Sequence, residues 1–182
     1  MRVRPLRTLL AACACGIAGF TGIAHAERVS DTQPAWATRA NRTAAVAGSE
    51  RMVFSVWLGW RNPADLDRTL ADLTDPASAN HGRWLTPGEF HARYSPSPAQ
   101  VEAVRTWLTT AGFAIVDVPQ NRLFVTASGT VADVERTFDV TENLYRVAGT
   151  DVRAPDADPA VPATIASDVQ AITGLDGSLA TH

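Results

Sequence analysis

The sequence predicts an α+β protein, an antiparallel sheet with helices packed on one face. Three observations predict it. A stretch near residue 55 alternates with period two, as a half-buried strand does. The middle of the chain carries helical stripes introduced by capping boxes. The segments then follow one another as β-α, two short helical pieces, and β-β-α-β.

Each element has a local reason. Met52 to Trp60 is rich in Val, Phe and Trp. Val53, Ser55, Trp57 and Gly59 fall on one side and Phe54, Val56, Leu58 and Trp60 on the other, which reads as a strand. Asn62-Pro63 opens a helix, with Asn as N-cap and Pro in the first turn. Leu66, Leu70 and Leu73 give that helix one buried stripe. Asp75-Pro76 ends it, because the residue before proline avoids the helical region. Thr86-Pro87-Gly88-Glu89 starts a short helix to about Tyr94, and Ser97-Pro98-Ala99-Gln100 starts another. The latter buries Val101, Val104, Leu108 and Ala111 and stops at Gly112. Phe113 to Val118 and Arg122 to Ala127 read as strands joined by Pro119-Gln120-Asn121. Thr130 caps a helix that turns Val131, Val134 and Phe138 inward. Thr141 to Val147 reads as the next strand, followed by a Gly149-Thr150 turn. Beyond Asp151 the chain is rich in Pro and Asp, Val161 to Ile172 reads as a last helix, and Gly174 to Gly177 as a turn. Without the extra helical piece, this order is the split βαβ pattern of a ferredoxin-like sandwich.

The ends divide from this core. Arg2, Arg4 and Arg7 precede an uncharged apolar stretch, and Ala24-His25-Ala26 offers small residues at a cleavage site. Residues 1–26 therefore read as a signal peptide, which implies secretion to the extracellular space or periplasm. A competing reading is a lipoprotein box at Leu10-Ala11-Ala12-Cys13, but the five residues between Arg7 and Cys13 are short against the usual h-region of about 7–15. Residues 27–50 have little periodicity and read as a flexible leader. Residues 51–150 form the core, and 151–182 a C-terminal linker and tail.

Cleavage after Ala26 removes both cysteines, Cys13 and Cys15, and with them any disulfide, thiolate or cysteine-metal chemistry. It also takes three arginines, so 16 basic residues against 19 acidic become 13 against 19, a net charge of −6. All the basic residues are scattered arginines. An acidic chain without a basic run is a poor nucleic-acid ligand, which argues against an RNA-binding sandwich. No membrane contact is expected after cleavage, and the free chain is expected to be a monomer.

The residues RNPADLDRTLADL (Arg61 to Leu73), TDPASANHGRWLTPGEFHARYSPSPAQVEAVRTWLTTAGF (Thr74 to Phe113), NRLFVTASGTVADVERTFDV (Asn121 to Val140), Val161-Pro162 and the Thr173-Gly174-Leu175-Asp176 close are specific enough to name a family. They resemble the activation prodomain of sedolisin and kumamolisin, the serine-carboxyl peptidases, over roughly Arg51 to Asp176. The resemblance implies a fold like subtilisin-type propeptides. It also implies a partner, the peptidase catalytic domain, whose folding the prodomain templates and whose cleft it blocks until acid releases it. The segment from about Asp151 onward would thread toward that cleft. The catalytic Glu, Asp and Ser of such a peptidase would lie beyond His182, so no catalytic residue is carried over. The chain would then act in trans, as one piece of a split gene, or be a remnant.

Within this frame the partner-binding candidates are Trp57, Trp60, Trp84 and the stretch Asp151, Val152, Arg153 and Ala154. An outward Trp on the first strand suits docking. His81 and His91 are candidates for a pH switch, since histidine titrates near pH 6.5. No second ligand stands at metal spacing from either, and neither a cofactor nor a metal is expected. Asp65, Asp67, Asp72 and Asp75 read first as solvated helix-face charges; as a second reading they hold a complex closed until protonated. Ser128-Gly129-Thr130 resembles the start of the sedolisin serine motif, but Val131 stands where that motif has serine, and helix capping accounts for the three residues. The non-propeptide alternatives are an acylphosphatase-like hydrolase, with Arg61-Asn62 as a faint anion cradle, and a generic ferredoxin-like binding module.

Overall fold

The computed structural model describes residues 26–177. The predicted signal peptide up to His25, the lipid box at Cys13 and His182 lie outside them. The elements run β1 (Ala26–Arg28), β2 (Arg42–Ala45), β3 (Arg51–Leu58), α1 (Pro63–Thr74), α2 (Pro87–Tyr94), α3 (Pro98–Thr110), β4 (Ala114–Asp117), β5 (Phe124–Thr130), α4 (Val131–Phe138), β6 (Glu142–Val147), β7 (Thr150–Pro155), β8 (Ala160–Pro162), α5 (Ala163–Ala166) and β9 (Val169–Thr173).

The central sheet has the antiparallel order β4-β5-β3-β9. Counting only its own four strands, that order is 2-3-1-4, the ferredoxin-like arrangement. The alternation of β3 decides which side is covered. Met52, Phe54, Val56 and Leu58 are buried, whereas Val53 is exposed and Ser55 and Trp57 are half-buried. On the inner face α3 contributes Val101, Val104 and Leu108, and α4 contributes Val131, Val134 and Phe138. Phe54 meets Phe113 and Phe138 edge-on, with centroids 5.0 and 5.2 Å apart. Each such side chain stabilises the fold by about 1.5–3 kcal/mol through burial alone.

Both predicted capping boxes are present. Ser97 and Gln100 close the N-terminus of α3, and Thr86 and Glu89 that of α2. Thr130 caps α4 in a third box with Asp133. The Ser128-Gly129-Thr130 run is fully occupied structurally, because a Cβ on Gly129 would meet Phe113 Cδ1 at 2.5 Å. The Thr130 hydroxyl and the Arg136 guanidinium hold the Asp133 carboxyl down at about 2. We expect Thr130→Ala to lower the unfolding free energy by about 1–2 kcal/mol, read as a shifted urea midpoint at unchanged slope.

Four expectations are corrected. First, the fourth strand of the sandwich is β9. Glu142–Val147 instead forms the middle of a second, three-stranded sheet, β2-β6-β7. Second, the predicted helix over Val161 to Ile172 is cut to α5, because Val169–Thr173 pairs along β3. Third, the stretch predicted as a flexible leader is built in. β1 pairs with β8 and β2 with β6, burying Val29, Ala37 and Val46. Asp158 Oδ1 accepts the amides of Thr32 and Gln33 at 3.0 and 2.9 Å, so backbone far from any local partner is satisfied through the tertiary fold. Fourth, α1 does not back the sheet. Leu66 and Leu73 are buried outside the main core, and Leu70 is 44% exposed. Asn62 precedes α1 in a left-handed conformation and makes no side-chain cap.

The helix α1 packs instead on α2. Tyr94 donates to Asp65 Oδ2 at 3.1 Å, Arg93 pairs with Asp65 at 2.7 Å, and the Thr69 and Tyr94 hydroxyls lie 2.8 Å apart. Burial alone would raise the Asp65 carboxyl, but Tyr94 and Arg93 together outweigh it and hold it below the usual range.

Candidate docking face

Helices cover one face of the β4-β5-β3-β9 sheet and leave the other bare. Paired residues on neighbouring antiparallel strands point the same way, so three rows define the bare face. Ala114, Ser128 and Val53 form the first, and Asp117, Thr126, Ser55 and Thr173 the second. Phe124, Trp57 and Ala171 form the third. In the second row the Ser55 and Thr126 hydroxyls bond at 2.8 Å. Trp57 Nε1 donates to Thr173 Oγ1 at 2.9 Å, and its ring leans on Phe124 at 4.7 Å between centroids. Val53 remains 55% exposed near the centre of the face, and Val116 is 58% exposed on the edge strand. The middle of the face carries small, hydroxyl-bearing and aromatic side chains and no charge. Arg51 and Asp117 stand at its margins. A groove of about 660 Å³ adjoins Trp57, bounded by Ser30, Asp31 and Thr32 on one side and by β9 and Gly174 on the other.

The other predicted site residues are not gathered here. Trp60 turns to α2 and meets Phe90 edge-on at 5.3 Å. Trp84, 64% exposed, lies in the loop between α1 and α2. Asp151, Val152, Arg153 and Ala154 belong to β7 and pair with Arg146, Tyr145, Leu144 and Asn143 of β6. Asp151 forms an ion pair with Arg146 at 2.8 Å, and Ala154 is fully buried. The Pro/Asp-rich stretch is extended, as its composition suggests, but its hydrogen bonds go to a neighbouring strand. It is therefore not a free peptide. His81 is exposed in the turn after α1, so the burial that a switch there needs is missing. His91 is half-buried on α2, with Nδ1 3.1 Å from Ser95 Oγ.

Arg61, the one cation of the supposed anion cradle, is spent on main-chain carbonyls. Its Nε donates to Ser95 O at 2.5 Å and its Nη2 to Ala92 O. Among the described residues no group of three or more His, Cys, Asp or Glu is placed to hold a metal ion, and no helix is long and apolar enough to cross a membrane.

Sequence reasoning passed over Val53, Phe124, Thr126 and Thr173. The alternation of β3 marks Val53 as outward, but only the pairing register shows which partners share its face. It also passed over Glu142, a fully buried acid in β6. The polar flank Thr141-Glu142-Asn143 gives no sign of that burial.

A sandwich with one sheet face left bare, its middle free of charged side chains, offers a surface suited to docking. The chain belongs to the family described as Pro-kumamolisin, activation domain, which it matches over residues 38–177. It is similar to xanthomonalisin of Xanthomonas sp. (strain T-22), 37% identical over 127 residues, which are 70% of this chain and 15% of that protein. It is similar to sedolisin of Pseudomonas sp. (strain 101), 28% identical over 75% of this chain and 23% of the relative. Aorsin of Aspergillus oryzae is 28% identical over 71% of this chain and 19% of its own length. The chain thus spans less than a quarter of each of these relatives, and what it matches is the prodomain, not the catalytic domain.

Proposed function

We propose that this chain is a secreted propeptide domain that templates the folding of a sedolisin-type serine-carboxyl peptidase and blocks it, without itself reacting. The observation that carries the reading is the bare face around Val53 and Trp57, on a chain whose family match is the activation prodomain. An uncharged patch of hydroxyls and aromatics loses little on desolvation and suits the centre of an interface. A standard interface of about 1,600 Å² in total would span most of such a face. The templating role follows if the same face stabilises the peptidase's folding transition state more than its unfolded chain. The peptide that enters the substrate cleft starts no earlier than Gly177, since everything from Asp151 to Gly177 is tied into the fold. Extended chain in that cleft gains main-chain hydrogen bonds, as in strand addition.

The test is a titration. Purified chain added to the catalytic domain of a sedolisin-type peptidase is expected to remove its activity competitively and stoichiometrically near neutral pH, and to do so less in acid. Full activity at a large molar excess of chain, at every pH tried, would refute the reading.

A further inference from the structure

Glu142 is the most anomalous group among the described residues. Its side chain is fully buried and neither carboxyl oxygen has a hydrogen-bond partner. Buried carboxylates are normally paired or hydrogen-bonded. Glu142 sits at the start of β6, where the sandwich meets the three-stranded sheet. The groups around it come from four other places. Glu135 on α4 accepts the Glu142 amide at 2.9 Å. Asp156, past β7, accepts the Thr141 amide at 2.7 Å. Asp176 lies beyond β9, and Arg153 reaches in from β7 with Nε 3.8 Å from Glu142 Oε2. Glu50, before β3, holds the far side of the same guanidinium at 3.2 Å. One guanidinium therefore serves a cluster of acids.

That guanidinium has a second task. Arg153 Nε donates to Leu175 O and Nη2 to Gly174 O, both at 3.4 Å, while the Arg153 carbonyl accepts the Gly177 amide at 2.8 Å. Arg153 thus pins the segment through which the chain leaves the domain. Its Nε lies nearly as close to Glu142 as to Leu175, so the two compete for one donor.

We propose that Glu142 is a proton-gated latch on the exit segment. As a neutral acid it leaves Arg153 bound to the Gly174 and Leu175 carbonyls. As a carboxylate it draws Arg153 to itself, releases the Gly174 and Leu175 carbonyls and so loosens the segment they belong to. The competition turns on charge, because a hydrogen bond to an ionised acceptor is about twice as strong as one to a neutral carbonyl. Burial, only partly offset by Arg153 and reinforced by Glu135, Asp176 and Asp156, pushes the Glu142 carboxyl up to about 8. The folded acid therefore binds its proton more tightly than the unfolded one, whose ordinary value is 4.5. Its stabilising effect is complete below that value and is lost as pH rises through about 8. The Asp133 cap runs the other way: present above 3.8, lost as pH falls through about 2. Glu142 thus favours a latch that is shut in mild acid and opens toward alkaline pH. Loosening of the exit segment then does not account for any release in acid, which falls to the interface itself.

The test needs no peptidase and so stands apart from the proposed function. Urea unfolding of the chain is followed from pH 5 to 9, beside Glu142→Gln. The ratio of the two unfolding constants is expected to change by up to about tenfold per pH unit within that window. Amide exchange at Gly177, corrected for its intrinsic rate, is expected to rise relative to β3 in the original chain only. So that the test does not depend on the variant's folding, the carboxyl carbon of Glu142 and the side-chain Nε of Arg153 are also titrated by NMR in the unaltered chain. A shared midpoint well above 5 supports the latch. A Glu142 midpoint near 4.5, an Arg153 signal that does not follow it, or identical pH profiles in the two chains would overturn it.

Discussion

Replacing Gly174 by alanine is expected to destabilise the domain by about 3–5 kcal/mol. Two costs add. Gly174 has φ +89°, where an L side chain is strained by roughly 1–2 kcal/mol. A Cβ there would also meet the Val53 carbonyl oxygen at 2.7 Å and Phe54 Cα at 3.1 Å. These are backbone atoms of the central strand and cannot swing aside as a side-chain tip does, and overpacking of this kind typically adds about 1–3 kcal/mol. In a domain of this size the sum corresponds to a melting temperature lower by about 6–20 °C. Gly112→Ala is the control. Gly112 has φ +100° but nothing within 4 Å of a built Cβ, so it carries the strain alone and should lose only about 1–2 kcal/mol. Equal losses at the two sites would show that β9 does not lie against β3 as described.

The same contact explains why part of the fold was legible in the sequence and part was not. The strand β3 and the helices α3 and α4 each announce themselves locally. Met52, Phe54, Val56 and Leu58 alternate; Val101, Val104 and Leu108 repeat at helical spacing; and Ser97 and Thr130 mark helix starts. Their order alone gives the sandwich. The strand β9 gives no such signal. Val161, Ile165, Val169 and Ile172 recur at intervals of four, four and three, which is a helical stripe, and all four are buried. Only pairing with β3 turns the second half of that stripe into a strand, and that pairing joins residues more than a hundred positions apart. Tertiary pairing overrides local pattern here. The leader is hidden for the same reason. β1 finds its partner at Ala160 to Pro162 and β2 at Asn143 to Tyr145. Leu70 fails in the opposite sense. It belongs to a helical stripe, but α1 packs on α2 rather than on the sheet, leaving less apolar surface to bury against. The docking face is half legible. Alternation exposes Val53 and Trp57, but Phe124, Thr126 and Thr173 join them only once the register is known.

A charge placed at Val53 should separate docking from folding. Val53 is more than half exposed, so Val53→Asp in the free chain should change stability by no more than about 1 kcal/mol, the span of strand propensity. In a complex the picture reverses. Across the sheet Val53 pairs with Ser128, and Ser55 follows it on the same face; the nearby cation, Arg51, is already held by Ser128 Oγ at 3.4 Å. An aspartate enclosed there by a partner would be desolvated with only the engaged Arg51 beside it, a penalty of roughly 3 kcal/mol, the low end for an unpaired buried charge. Inhibition of a sedolisin-type catalytic domain is therefore expected to weaken by about 100-fold or more. Val53→Ala removes only part of one apolar side chain and should weaken it by less than about tenfold. Trp84→Ala supplies the opposing case, since Trp84 is the more exposed residue but lies between α1 and α2. If the sheet face is what docks, Trp84→Ala leaves inhibition unchanged. Were Trp84→Ala to abolish inhibition while Val53→Asp spared it, the docking surface would belong to the helical pair, and the bare face of the sheet would need another explanation.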